Sequence, residues 1–402
     1  MRTQLKLMMV VLAVALIPAA ASAQPVKIGA LFGVTGPIAN FIPPIIDGAN
    51  LAVKEINDNG GILGGRKLEL VIGDSGCSPQ AGVDAATKLV NVNNVVGIVG
   101  PMCSGPTIAA ASSVMIPTGV PTISPTATSP DLTGLEDKDY IFRVIPSDNF
   151  QGKVMGKLVL DQGLKRVALT YANNDYAVGL ATAFRNAYTA LGGIITADQV
   201  HEEKKSSYRS ELATLSRGGN PEALVLIAYA GSSGITIVKQ SLENGFFERF
   251  IGPDGMRDDL LLEQIGGENM GKSFFTTPSS VASSAKEKFE KNFAAFSEHG
   301  VDKMFIKETY DAIMVMALAI EQAGSTDRRL VRKMIRVVAT ADGEVIEPGE
   351  WAKAKRLIAA HQAINYNGAA GEHEFDGNGD VAGVIGHYIV EGNKYKEIDI
   401  LK

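Results

Sequence analysis

Strings that mark a catalyst are scarce in this chain. It has two cysteines, one tryptophan and five histidines among 402 residues. No G-x-S-x-G, H-E-x-x-H or C-x-x-C string occurs, so a nucleophile elbow, a helical zinc site and a vicinal redox pair are all missing. No phosphate-cradling loop is expected. The histidines, His201, His299, His361, His373 and His387, come late and among polar neighbours that read as surface. Basic residues are outnumbered, 38 against 44 acidic, for a formal charge of −6 without a basic stripe; nucleic acid is not expected as a partner. Only 20% of residues are charged and 46% are apolar, which excludes a disordered chain. Long apolar runs are absent too, save one over residues 7–19. That run is shorter than the ~20 residues a spanning helix needs. With basic residues before it and Ala21-Ser22-Ala23 after it, it reads as a cleaved secretory leader over 1–23.

What the chain does have is an alternation of apolar strands and amphipathic helices. Strands are expected over 26–32, 68–72, 95–99 and 121–124, with helices over 47–59, 80–91 and 107–115. The pattern restarts with strands over 166–171, 194–199 and 223–228 and helices over 177–191, 208–217 and 233–244. Mostly apolar strands each followed by a helix indicate parallel sheets covered on both faces. A helix-rich third stretch (285–296, 309–323, 328–335, 351–356) lacks strands for its own sheet and is expected to return to the first. The strands at 386–390 and 395–400 are expected to return to the second. Two lobes joined by several crossings make a hinge.

The stretch 99–130, VGPMCSGPTIAAASSVMIPTGVPTISPTATSP, places two clusters of small hydroxyl residues just after short strands. At the strand ends of an open α/β sheet, such residues and free backbone N–H groups converge on one crevice, which suits a carboxylate. Cys77 and Cys103 each follow an apolar strand and a polar turn. In an oxidising compartment they form one disulfide, closing a loop of roughly 25 residues; two buried thiols are the alternative. Asp376-Gly377-Asn378-Gly379-Asp380 lacks the later ligands of a calcium loop and reads as a turn. No metal or cofactor is expected.

Several of these stretches together resemble one family. KIGALFGVTGPIANF, GANLAVKEINDNGGILG, DSGCSPQAGVDAATKLV, VGPMCSGPTIAA, ISPTATSPDLT, FRVIPSDNFQG, NNDYAVG, IGPDGM and GEHEFDGNGD are similar to the periplasmic substrate-binding proteins of branched-chain amino acid ABC transporters, the leucine/isoleucine/valine-binding group. The resemblance spans essentially the whole chain after the leader. It implies the type I periplasmic-binding fold: α/β, with two Rossmann-like lobes whose mainly parallel sheets are joined by a three-crossing hinge. The lobes are expected over 24–146 with 278–365 and over 147–277 with 366–402, with crossings near Pro146, Thr277 and Asn365.

The resemblance also implies roles. Ser104 would receive the ligand carboxylate, and the backbone around Thr126 and Ala127 with the Thr128 hydroxyl would meet the carboxylate and amine. Phe41 would be an aromatic wall, Tyr176 would close over the ligand, and Asp254 would face the ammonium. Read alone, these four could be a capping threonine, lobe core, a surface tyrosine and a turn aspartate. Tyr229-Ala230-Gly231 departs from the family's paired tyrosines, a smaller surface that would widen the side-chain pocket or shift the ligand contact to Tyr229, and Pro43-Pro44 stands where glycine is usual. The implied protein is a monomeric, periplasmic, non-enzymatic binder that delivers an amino acid to a membrane permease. A non-amino carboxylate ligand or a sensor role is the alternative.

Overall fold

The computed structural model describes residues 24–339 and 342–402; the expected leader lies outside them. Five parallel strands form the first sheet: β1 (Val26–Phe32), β2 (Leu68–Asp74), β3 (Gly97–Val99), β4 (Thr122–Ser124) and β5 (Ile141–Arg143), in the order β2-β1-β3-β4-β5. The second sheet takes β6 (Arg166–Ala172), β7 (Ile194–His201), β8 (Ala223–Ile227), β9 (Phe250–Gly252) and β10 (Phe274–Ser279) in parallel. A small parallel ladder, β11 (Glu344–Ile346) with β12 (Ile364–Tyr366), follows. The antiparallel β13 (Val384–Glu391) and β14 (Lys394–Leu401) complete the second sheet, whose order is β14-β13-β10-β9-β8-β6-β7. The two lobes are α/β, as the alternation implied. No helix among the described residues is long and apolar enough to cross a membrane.

The third stretch does return to the first sheet. Its helix Ile306–Ala323 is buried along nearly its whole length and joins the first lobe's core with Phe289, Val331 and Trp351. It comes so close to helix Ile42–Asp58 that a Cβ at Gly48 would stand 2.7 Å from the Ile306 carbonyl oxygen. That first helix starts earlier than its apolar pattern showed, because Pro43 and Pro44 occupy its first turn, where a missing N–H has no partner to lose. The helix expected from Thr107 likewise starts at Ser104 and widens to a π-helical stretch at Ala111–Met115.

Helix Asp148–Asp161 carried no clear hydropathy signal. Its contact face is glycine: a Cβ at Gly152 would meet Phe184 N at 2.7 Å, and one at Gly156 would meet Tyr188 N at 3.0 Å. Backbone approach, not apolar side chains, seats it on helix Asp175–Ala190. The histidines also depart from expectation, since His201, His373 and His387 are buried. The ring of His201 bridges Thr170 and Ser233 at 2.8 Å on each side, and burial pushes its pKa down to about 4. Polar sequence neighbours hid a buried polar bridge.

Cys77 and Cys103 are joined, with Cα atoms 5.4 Å apart. The bond ties the turn after β2 to the residue that precedes helix Ser104–Ala110. Replacing both cysteines by serine should lower unfolding stability by about 2–4 kcal/mol, measured by urea titration under oxidising conditions; no loss would mean that packing alone holds these two turns.

Candidate functional site

The two hydroxyl clusters are knitted into one wall. Ser124 Oγ donates to Pro101 O at 2.7 Å and accepts from Ala127 N–H at 3.0 Å. Thr126 Oγ1 donates to Met102 O at 2.5 Å, and Ser129 N–H donates to Ser104 Oγ at 3.2 Å. The loops after β3 and β4 thus hold each other through side-chain hydroxyls. Behind them lies Arg143, which is 2% exposed. Its Nη1 donates to Thr128 O and Ser129 O, both at 2.9 Å, and its Nη2 to Thr133 Oγ1 at 2.6 Å. Nε and Nη2 grip Asp380 bidentately at 2.6 and 2.7 Å. Asp380 ends the turn read from the sequence, where Asp376 Oδ1 accepts the N–H groups of Asn378 and Asp380.

From the second lobe come two tyrosines and an acid. Tyr176 and Tyr229 stack at 5.0 Å. Tyr176 Oη donates to Asp254 Oδ1 at 3.1 Å and accepts from Gly255 N–H at 3.2 Å. Gln151 Nε2 donates to the same Asp254 oxygen at 2.9 Å. Burial raises Asp254 to about 6, against the pull of Gln151 and Tyr176 toward the ionised form. Both tyrosines are pushed well above their ordinary range by burial and by the neighbouring Asp254, so they stand as neutral donors.

Between these walls is a narrow cavity of about 30 Å³. Five of the eight expected residues line it: Phe41, Thr126, Tyr176, Tyr229 and Asp254. Ser104, Ala127 and Thr128 are buried in the loops that carry its Cys103 and Thr126 and do not themselves line it. Its apolar side is completed by Ile38, Ile45, Met102 and Phe305, which the sequence did not single out. Phe305 meets Phe41 edge to face at 6.3 Å and sits at a φ of 64° just before its helix, a placement without a periodic signal.

The lobes touch around this cavity. Lys303 and Asp259 pair at 2.5 Å beside a neighbouring surface pocket, and Gly231 lies so near Pro37 that a Cβ there would be 2.4 Å from the Pro37 oxygen. One string does contradict expectation: Gly266, Gly271, Lys272 and Ser273 have the spacing of a phosphate loop. The stretch enters β10 instead of leaving a strand for a helix, Ser273 Oγ accepts from Phe250 N–H, and Lys272 pairs with Glu248. It is a strand entrance with its polar groups engaged.

A family model described as periplasmic binding protein matches residues 25–394. The Leu/Ile/Val-binding protein BraC3 of Rhizobium johnstonii is 32% identical over 307 residues, covering 75% of this chain and 80% of that protein. The leucine-, isoleucine-, valine-, threonine-, and alanine-binding protein of Pseudomonas aeruginosa is 29% identical over 316 residues, covering 78% and 83%. Among solved structures, the branched-chain amino acid transporter substrate binding protein LivJ of Streptococcus pneumoniae, in complex with isoleucine, matches with a TM-score of 0.79 and 26% identity, over 94% of this chain and 100% of that one.

Asp380→Ala strands the Arg143 guanidinium in the interior and should cost about 3–5 kcal/mol of stability. Equilibrium urea unfolding reads this directly; a loss under about 1 kcal/mol would show that the pair behaves as a surface salt bridge.

Proposed function

This chain belongs to the periplasmic binding protein family, and from that premise we propose that it captures an amino acid, branched-chain or otherwise apolar, by lobe closure. It then passes the ligand to the membrane permease of an ABC importer. The observation that carries the reading is a buried acid at one end of an otherwise apolar cavity. A ligand ammonium brought against Asp254 leaves the side chain on Phe41, Phe305, Ile38 and Ile45. Fully burying a side chain of leucine size contributes about 1.5–3 kcal/mol. The ligand carboxylate meets Ser104 and the Thr126 to Thr128 loop once the cleft opens to admit it.

Tyr176 and Tyr229 act as the second lobe's cover, excluding water and strengthening the charged contacts beneath. The names of the relatives, with leucine, isoleucine and valine among their ligands, accord with a wall of this size and polarity. The protein works outside the cytoplasm, as its family does and as a disulfide beside the cleft requires. The leader over 1–23 is the export signal in this reading. Binding, not bond breaking, is its task.

A melting screen of the purified protein tests the reading. Leucine, isoleucine or valine should raise the melting temperature with concentration, by about 2.7 kcal/mol of stability at a hundredfold excess over Kd. A shift with a non-amino carboxylate alone would overturn it. Asp254→Asn should weaken amino-acid binding by about 2–5 kcal/mol, seen by calorimetry with the melting of the free protein as fold control.

Acidity gives a second check. Because folding raises Asp254, its contribution to the empty protein's stability is full at low pH and is lost as pH rises through about 6. The bound ammonium needs the carboxylate, so affinity should run the other way and fall as pH drops below about 6. An affinity flat from pH 7.5 to 5 would remove Asp254 from the ammonium site.

A further inference from the structure

The passages of chain between the two sheets meet at one small cavity. The first follows β5 over residues 144–146, the second leaves β10 at 278–279, and the third enters β13 through 381–383. They are packed closely: a Cβ at Gly383 would stand 2.8 Å from Pro146 Cγ, and Ser279 is paired with Val384 in the second sheet. The cavity they line measures about 20 Å³, room for about one water.

Its remaining wall comes from the first lobe and carries a buried acid and a buried imidazole. Glu308, in the first turn of helix Ile306–Ala323, is 5% exposed, and His373 is 2% exposed. Glu308 Oε2 and His373 Nδ1 are both buried without a hydrogen-bond partner. The hydrogen bond that helps the ionised Glu308 comes from its own backbone N–H. His373 Nε2 lies 3.0 Å from Asp311 Oδ2. Asp311 is fully buried and also accepts from Tyr366 Oη at 2.7 Å and from the Ala369 and Ala370 N–H groups at 2.9 and 2.7 Å. It offers the ring only an acceptor, so the ring proton belongs on Nε2 and Nδ1 keeps a lone pair that needs a donor.

A protonated Glu308 is such a donor, directly or through one water. An ionised Glu308 leaves two acceptors and a buried charge around the same cavity. The charged and titratable groups facing it are Lys307 and Asp311 from its own helix and His373 from the segment before β13. Glu372 of that segment lines the cavity too, and the passages add only Ser279, whose Oγ donates to Glu397 of β14. Burial is the largest influence and raises Glu308 above its ordinary range, against the pull of Lys307. Phe305, immediately before this helix, lines the ligand cavity, so one helical turn separates the ligand's wall from the hinge.

We propose that Glu308 and His373 form a proton-operated latch on the hinge. With one proton held between the two residues, the passages pack as they do here and the lobes stay closed. When that proton leaves for solvent, the stranded carboxylate draws water into the cavity and loosens the hinge toward the open form. An acid raised by burial stabilises the closed form fully below the ordinary glutamate value of 4.5, and that contribution is lost as pH climbs through the raised value. The latch rests on the lobe-closure reading above and adds to it a control that lies outside the ligand site.

Isothermal titration with leucine at about pH 5.5, 6.5 and 7.5, in two buffers of different ionisation enthalpy, counts the protons exchanged by the wild-type protein and by Glu308→Gln, whose amide is neutral throughout. Closing on leucine should draw a proton into the wild-type latch, so wild type should take up as much as about one proton more per leucine than the variant at one or more of these pH values. At pH 7.5 the variant should also bind leucine about threefold more tightly, because its hinge no longer resists closure. Small-angle scattering of the ligand-free proteins makes the same comparison without a ligand: wild type should expand more than the variant as pH rises from about 5 to 8. Asp254 titrates in both proteins and cancels in the difference. Glu308→Met removes the charge without adding a donor, should follow Glu308→Gln in proton count and scattering, and stands in for it if the amide disturbs folding.

Equal proton counts and equal scattering in wild type and variant would overturn the latch and leave the amino-acid reading standing. A variant that melts lower by the same amount at every pH, with no difference in proton count, would mark a packing residue and overturn it too. Leucine that fails to bind would overturn the amino-acid reading alone, and the scattering comparison would still decide the latch.

Discussion

A single buried cation organises the fixed half of the cleft. The Arg143 guanidinium sits with almost no exposure, and its planar fork meets the Asp380 carboxylate, two loop carbonyls and a threonine hydroxyl. Lysine, a point charge on a flexible stem, could not hold these partners in one plane. The consequence is connectivity. Arg143 ends β5, Thr128 and Ser129 belong to the loop after β4, and Asp380 belongs to the last passage of the chain toward the second sheet. One side chain therefore fastens the loop after β4 to the segment that leads into the last two strands of the second sheet.

The other constraints on the cleft are ones of close approach. On the first lobe the disulfide holds the turn that presents Ser104, while Ser124 and Thr126 tie the two hydroxyl loops together. Across the gap, Gly231 meets the Pro37 backbone and a Cβ at Gly105 would lie 2.8 Å from Asp175 Oδ2. Glycine at such contacts lets backbone meet backbone or carboxylate without a side chain between. The lobes can then come together tightly enough to exclude water, the condition under which a charge-assisted bond to a ligand is strongest.

Much of this was legible before the structure. Strand and helix order followed from apolar runs, and the wall of the cleft from hydroxyl clusters at strand ends. The disulfide followed from two cysteines in an exported chain. What escaped had no periodicity to betray it. Helix Asp148–Asp161 packs through Gly152 and Gly156, residues that add nothing to a hydropathy pattern. Phe305 reaches the cavity through a left-handed backbone position, and Ile38 and Ile45 carry nothing in the sequence that sets them apart from other apolar residues. The buried histidines failed for the converse reason: polar sequence neighbours do not ensure a polar environment when the partner is on another strand.

These observations fit one economy of charge. The first lobe's buried cation is satisfied internally through Arg143 and Asp380, so it gives rigidity and offers nothing to a ligand. Asp254, buried on the second lobe's side of the cavity, is the reverse case. Asp254 has one oxygen held by Gln151 and Tyr176, and its burial opposes the charge, which burdens the empty closed form. A protein that must open to receive its ligand gains from that burden. Closing the lobes buries Asp254 against its preference for water, and a cation brought to it would offset that cost, so such a ligand would favour the closed state.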